Sequence, residues 1–465
     1  MAFTSYDFLL FFLIVFILYW TVREHRWQNL ILLAASYYFY GWVQVWYAVM
    51  LGASTLADFC LSRGMDTHPG RKRLFMGLSL FLNLGVLAFF KYYNFFSGDV
   101  IALLNTLGLN TDPLLVRILL PAGLSFFTLK KLAYMLDVSR GTLKPSHRFI
   151  DFSLYVSFFP QIIAGPIDRP QKLLPQIELQ RIWKADFFYK AWPLLVMGFF
   201  KKLVIANSIQ VIVDRIFGFS GPSGFLLLCG ALGYTLQILA DFSAYVDLSR
   251  GVSHLLGFDT SENFRQPYLS LTPTDFWNRW HITLSTWLRD YIFFPVRRAL
   301  LRYKFNEKLA ISIPPLVTMF ISGLWHGATL NFIIWGLYYG VLIIIYQLIG
   351  IRSDWKPNSS LKSFFAWLIM FSFIVFGWGI FRAPSMTWFI NVIFNSPFLP
   401  TQNEFILSLI ALTMSLAYSL PLVIKYLIDR YMPDGWTQAA YHAIAITLVV
   451  IYINSANSDF IYFQF

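Results

Sequence analysis

Charge is scarce in this chain: Asp, Glu, Lys and Arg make up 13% of 465 residues, against about a quarter in an average soluble domain. With so little polar surface, the chain cannot cover itself in water. Long polar stretches are missing too. The length would accommodate two or three soluble domains, yet no polar segment is long enough to form one, so residues 1–465 read as a single membrane domain. Cysteine is limited to Cys60 and Cys229, both in apolar surroundings, which excludes a disulfide framework or a cysteine metal site. Walker loops, a serine nucleophile elbow, HExxH and Cys/His ligand spacings are all absent; no metal and no permanently bound cofactor are expected. No internal repeat is evident, which argues against a transporter built from inverted repeats. Phe8 to Trp20 is apolar but lacks a basic leader and a small-residue cleavage site, so it does not read as a cleavable signal peptide.

What the chain has is apolar sequence, 57% of its residues, in runs near the ~20 residues that cross a bilayer core. Such runs fall at 7–22, 28–42, 44–62, 74–96, 115–138, 150–165, 190–213, 223–250, 309–325, 329–350, 362–381, 404–427 and 437–455. Some are short or interrupted by Gly and Pro and read as re-entrant. The fold class is all-α, a polytopic membrane protein with roughly 11–13 embedded helices. The net charge of +12 does not indicate nucleic acid, because the bases sit in short loops between apolar runs. Their richest stretch, 250–308, carries Arg250, Arg265, Arg279, Arg289, Arg297, Arg298, Arg302, Lys304 and Lys308. The positive-inside rule places it in the cytoplasm and the N-terminus outside, in a multi-pass protein of the inner (plasma) membrane.

Three segments carry groups suited to chemistry. Thr272-Pro273-Thr274-Asp275 is a helix start, with a Thr cap, Pro at the first position and an acid in the first turn. The pattern that follows predicts one helix with two faces. Trp277, Trp280, Leu284, Trp287 and Tyr291 lie on one; Thr274, Asn278, His281, Ser285 and Arg289 line the other. Those residues alone suit an interfacial amphipathic helix as well as a site. In Ile321-Ser-Gly-Leu-Trp-His-Gly-Ala328, His326 ends an apolar run and lies at membrane depth, where ionisable groups are costly and point to function. Its imidazole can act as a base, with Gly323 and Gly327 letting a substrate approach, or it can bond between helices, with the glycines serving close packing. On 231–250, Tyr234, Gln237, Asp241 and Tyr245 share a face, and Asp241 is read either as half of a structural pair with an arginine or as part of a polar path. Gln161 and Ser125 are further polar groups at depth. A transporter or flippase with a polar midplane site would also use such groups, and a non-catalytic scaffold is a third reading.

The strings PAGLSFFTLKKLAYMLDVSRG, FFPQIIAGPIDRP, DFSAYVDLSRGVSHLLGFDTSENFRQPYLS, TDFWNRWHITLSTWLRDYIFFP, ISGLWHGA and the closing FIYFQF together resemble the membrane-bound O-acyltransferases, in particular their alginate O-acetyltransferase branch. The resemblance implies helices around a transmembrane tunnel, with His326 as the catalytic histidine and His281 as the second family histidine. Asn278, Arg279, Trp280, Ser285, Trp325, Asp241, Gln237, Gln161 and Ser125 are then expected to line the substrate path. It further implies an acyl thioester donor, acetyl-CoA or an acyl carrier, entering from the cytoplasm. The acceptor is an extracytoplasmic polysaccharide or an SGNH-type acetyltransferase partner that relays the group. The chain departs from the alginate pattern at Thr128-Leu129-Lys130 and after the RDY motif, where it reads FPVRRALLRYK. D-alanyl transfer to teichoic acid is therefore a sub-family alternative, since that machinery shares FWNRWH.

Overall fold

The computed structural model describes residues 1–107, 121–453 and 460, with side chains for all of these but 94–104. Among them the chain is helical, without strands. In chain order the helices are α1 (Tyr6–Thr21), α2 (His25–Gly41), α3 (Val45–Thr67), α4 (Lys72–Thr106), α5 (Leu124–Arg140), α6 (Phe149–Ser157), α7 (Pro170–Glu178), α8 (Ala185–Phe199), α9 (Asn207–Phe217) and α10 (Gly224–Leu255). There follow α11 (Pro273–Arg279), α12 (Ile282–Leu288), α13 (Phe294–Arg302), α14 (Glu307–His326), α15 (Leu330–Leu348), α16 (Ser360–Arg382), α17 (Met386–Phe394), α18 (Gln402–Tyr431) and α19 (Trp436–Tyr452). Among the described residues, eight helical stretches are long and apolar enough to cross a membrane. The protein is therefore a multi-pass, all-α membrane protein. Parts of the runs expected at 115–138 and 437–455, and all of the closing FIYFQF but Phe460, lie outside the described residues.

Contacts divide the chain into two compact units, residues 1–194 with 248–261, and residues 195–247 with 262–465. In the first, a phenylalanine cluster of Phe8, Phe11, Phe39 and Phe159 packs edge-on and tilted with ring centroids 5.4–6.5 Å apart. The two lysines buried on α5 are paired, as a low-dielectric interior demands. Lys131 faces Asp58 at 3.4 Å, and Asp58 also accepts from Ser79 and Asn83. Beside it runs a second chain: Lys130 Nζ donates to Gln161 Oε1 at 3.0 Å, and Gln161 Nε2 donates to Asp168 Oδ2 at 2.6 Å. That chain ties α5 to the stretch expected to be embedded at 150–165. Only Phe149–Ser157 of it is helical, and nine residues rise about 13 Å, too little to cross a core of about 30 Å.

In the second unit, α14 and α15 form a close hairpin. A Cβ on Gly323 would stand 2.3 Å from the Phe332 carbonyl oxygen, and one on Gly336 would stand 2.2 Å from that of Met319. The backbones touch where only glycine fits. Gly323 therefore serves the approach of a helix. Elsewhere in this unit, the run from 185 to 217 is interrupted by a π-helical segment, Phe200–Ala206, which holds Lys201 and Lys202. Such segments are uncommon and often mark functional or strained places. Both lysines are buried and answer acids on α10: Lys201–Asp247 at 2.5 Å and Lys202–Asp241 at 2.8 Å.

Candidate active site

The start at Thr272 folds as its residues dictate. The Thr272 side chain accepts from the Asp275 N–H, and Pro273 occupies the first turn. The continuous helix expected from there to Phe294 is not present. It breaks after Arg279: Trp280 is extended, and His281 takes a left-handed conformation, φ 42° and ψ 54°. Neither Gly nor Pro marks the break. Its cause lies eighteen positions upstream, in Asn263. The Asn263 carbonyl accepts from Ile282 N, and its side-chain Oδ1 accepts from Thr283 N at 3.0 Å and Thr283 Oγ1 at 2.8 Å. The first N–H groups of α12, which a continuous helix would have satisfied internally, are instead capped from the loop. His281 is consequently only 1% exposed and leaves the polar stripe.

The same contact sets the His281 proton. Asn263 Oδ1 already accepts from a backbone N–H, so the 3.3 Å contact from His281 Nδ1 makes Nδ1 the donor and leaves the lone pair on Nε2. Burial pushes this imidazole down to about 3, so it stays neutral at physiological pH. His281 packs edge-on against Phe242 at 4.8 Å and Trp325 at 6.1 Å between ring centroids.

Trp325 leads to His326, the last residue of α14, at 4.9 Å. His326 is 8% exposed and enclosed by Trp335 at 5.0 Å, Phe381 at 5.1 Å and Phe332 at 6.2 Å. Trp335 in turn contacts Trp277, at 5.6 Å between ring centroids. Trp277 walls a cavity of about 170 Å³ that gathers Thr274, Asn278, Ser285 and Arg289, with Thr318 and Gln347 from α14 and α15. The polar stripe therefore survives the helix break as the lining of one cavity, without its histidine. A larger cleft of about 590 Å³ in this unit, walled by residues such as Leu227, Phe371 and Phe389, carries no titratable side chain.

Other expected residues stand elsewhere. Arg279 pairs with Asp275 at 2.8 Å within α11. Trp280 is packed among Phe264, Phe276 and Trp378. Asp241 is half of a pair, as one reading had it, although with a lysine in place of an arginine; Gln237 is buried one turn before it on α10. Gln161 and Ser125 belong to the first unit. Trp335 and Asn263 are not foreseen. In a sequence that is 19% aromatic one more tryptophan carries no signal, and a loop asparagine betrays its role only once folded. Among the described residues, no cluster of His, Cys, Asp or Glu is arranged to hold a metal.

The family model of the membrane-bound O-acyltransferases matches residues 32–389. The chain is 35% identical to the probable alginate O-acetylase AlgI of Pseudomonas putida, over 83% of this chain and 78% of that one. It is 31% identical to the peptidoglycan O-acetyltransferase of Helicobacter pylori, over 81% and 75%. With the teichoic acid D-alanyltransferase of Bacillus subtilis the identity is 32%, over 56% of this chain and 68% of the other.

Proposed function

The chain belongs to the membrane-bound O-acyltransferase family, and from that premise we propose that it moves an acetyl group from a cytoplasmic thioester, acetyl-CoA, to a hydroxyl of an exported cell-envelope polysaccharide or of an SGNH-type relay protein serving it. The observation that carries this reading is His326, a buried imidazole ending a helix long and apolar enough to cross a membrane, and linked through Trp335 and Trp277 to the cavity that holds Asn278, Ser285 and Arg289. His326 takes the proton of the acceptor hydroxyl, whose oxygen bonds the thioester carbon. The tetrahedral intermediate then collapses, the C–S bond breaks, and the imidazolium returns the proton to the departing thiolate. Asn278, Ser285 and Arg289 hold the polar arm of the donor in the cavity. His281, neutral and with its Nδ1 committed to Asn263, positions Trp325. The two units act as one membrane domain, a reading supported by a family match that spans both.

Acetyl is favoured over D-alanyl because the acetyl-transferring relatives match over 81–83% of the chain and the D-alanyl-transferring one over 56%. Family membership sets aside the transporter and scaffold readings. The deciding assay supplies membranes containing the protein with radiolabelled acetyl-CoA or with a D-alanyl carrier-protein thioester, and follows label into envelope polymer. Label is expected from acetyl-CoA alone; label from the D-alanyl thioester alone overturns the reading.

Donor entry from the cytoplasm requires the basic stretch 250–308 to face that side. Cys60 is exposed, so the test uses a Cys60→Ser background with a cysteine replacing Arg302. An impermeant maleimide should label it only after cells are permeabilised. Labelling of intact cells would reverse the orientation.

A further inference from the structure

Attack on a thioester places negative charge on the carbonyl oxygen, and a low-dielectric site has to supply a hydrogen-bond donor for it. On the acyltransferase reading above, that donor stands among the rings around His326. Phe332 and Phe381 have no polar hydrogen. His281 is neutral, and its one N–H is given to Asn263, so its remaining nitrogen accepts rather than donates. Trp325 lies between the two imidazoles, in ring contact with both.

Trp335, like Trp325 and Trp277, carries an indole N–H, and its ring touches both His326 and Trp277. Its ring stands at 87° to that of His326 with centroids 5.0 Å apart, and the residue is 0% exposed. Its Nε1 finds no hydrogen-bond partner among the described residues. An unmet N–H in a dry interior is costly, and each one asks for an explanation, a catalytic role among them. Trp335 is also in ring contact with Trp277, the cavity wall, and so links the cavity to the catalytic histidine.

The geometry points to the Trp335 indole N–H as the donor that receives the thioester carbonyl oxygen. The acceptor oxygen, deprotonated by His326, bonds the carbonyl carbon, and the C=O π pair moves onto the oxygen held by Trp335. When the C–S bond breaks, that pair re-forms the carbonyl of the new ester and the thiolate leaves with the proton from His326. No oxidant or further reactant is needed.

Trp335→Phe deletes the N–H and keeps a flat ring. In the full-length protein, with acetyl-CoA as donor probe, loss of one such donor lowers kcat about a hundred- to a thousand-fold. KM for acetyl-CoA and the thermal midpoint stay near wild type. Tyr339 serves as control. Its hydroxyl is likewise unmet, but it abuts Gly377 on α16, so Tyr339→Phe keeps its kcat. Where phenylalanine at 335 lowers the folded yield, benzothienylalanine, which keeps the bicyclic shape with sulfur in place of the N–H, is the deciding variant. A folded variant without the N–H whose kcat is within about two-fold of wild type overturns the assignment. So does a large loss in Trp325→Phe with none at 335. Failure of the wild-type protein to transfer any acyl group in the same assay counts against the acyltransferase reading instead.

Discussion

On replacement of His326 by glutamine, the protein still inserts and folds, while acyl transfer falls about a hundred- to ten-thousand-fold, the usual worth of general-base assistance. Glutamine is the informative choice. Its amide has both a donor and an acceptor and is close in size to imidazole, but it cannot take up a proton at neutral pH. The surroundings favour survival of the fold, because His326 sits at the last position of α14 and its neighbours Trp335, Phe332 and Phe381 are aromatic surfaces. A structural histidine would be rescued by glutamine in part; a base would not. The measurement is single-turnover loss of label from acetyl-CoA in purified protein, alongside its melting midpoint. Transfer near the wild-type rate in a well-folded His326→Gln protein would remove His326 from the chemistry.

Truncation of Asp241 to alanine has its largest effect on the fold. Lys202 and Asp241 are 2% and 4% exposed in their side chains and 2.8 Å apart, and Lys202 also lies 4.4 Å from the centre of the Phe460 ring. Removing the carboxylate takes away the counter-charge of a buried ammonium and costs about 3–5 kcal/mol. The double replacement Lys202→Met with Asp241→Leu exchanges the pair for apolar groups of similar size and recovers most of that loss. Thermal unfolding in detergent measures both. The double variant also separates the two readings of Asp241. If the pair is structural, the recovered protein still transfers acyl groups at close to the wild-type rate. An inactive but fully stable double variant would place Asp241 on the substrate path.

Much of this was legible beforehand, for reasons that vary with the residue. Apolar runs of spanning length and the cap at Thr272 depend on local chemistry, and they reappear as α8 to α10, α14 to α16 and α11. The polar stripe was legible in membership and illegible in shape. Thr274, Asn278, Ser285 and Arg289 do line one cavity, but the helix that was to align them is broken by a loop residue with no local signature. The basic partners of Asp241 and Asp247 were hidden for a related reason: Lys201 and Lys202 lie within an apolar run, and only the packed helices show which acids they meet. Trp335 belongs to the same class, a residue whose role is set by who surrounds it.

The π-helical segment at Phe200–Ala206 has a bearing on how the chain tolerates insertions and deletions. A π-turn is an α-helix with one residue to spare, so deleting a single residue within 200–206 would leave the backbone hydrogen bonds able to close as an ordinary α-helix. The helix beyond would keep its phase, and the loss would fall on the wide turn itself, where Lys201 and Lys202 would no longer both reach Asp247 and Asp241. Length variation in this helix should therefore be confined to its ends, and the extra residue is best regarded as a fixed spacer that lets two adjacent lysines reach acids six positions apart on α10.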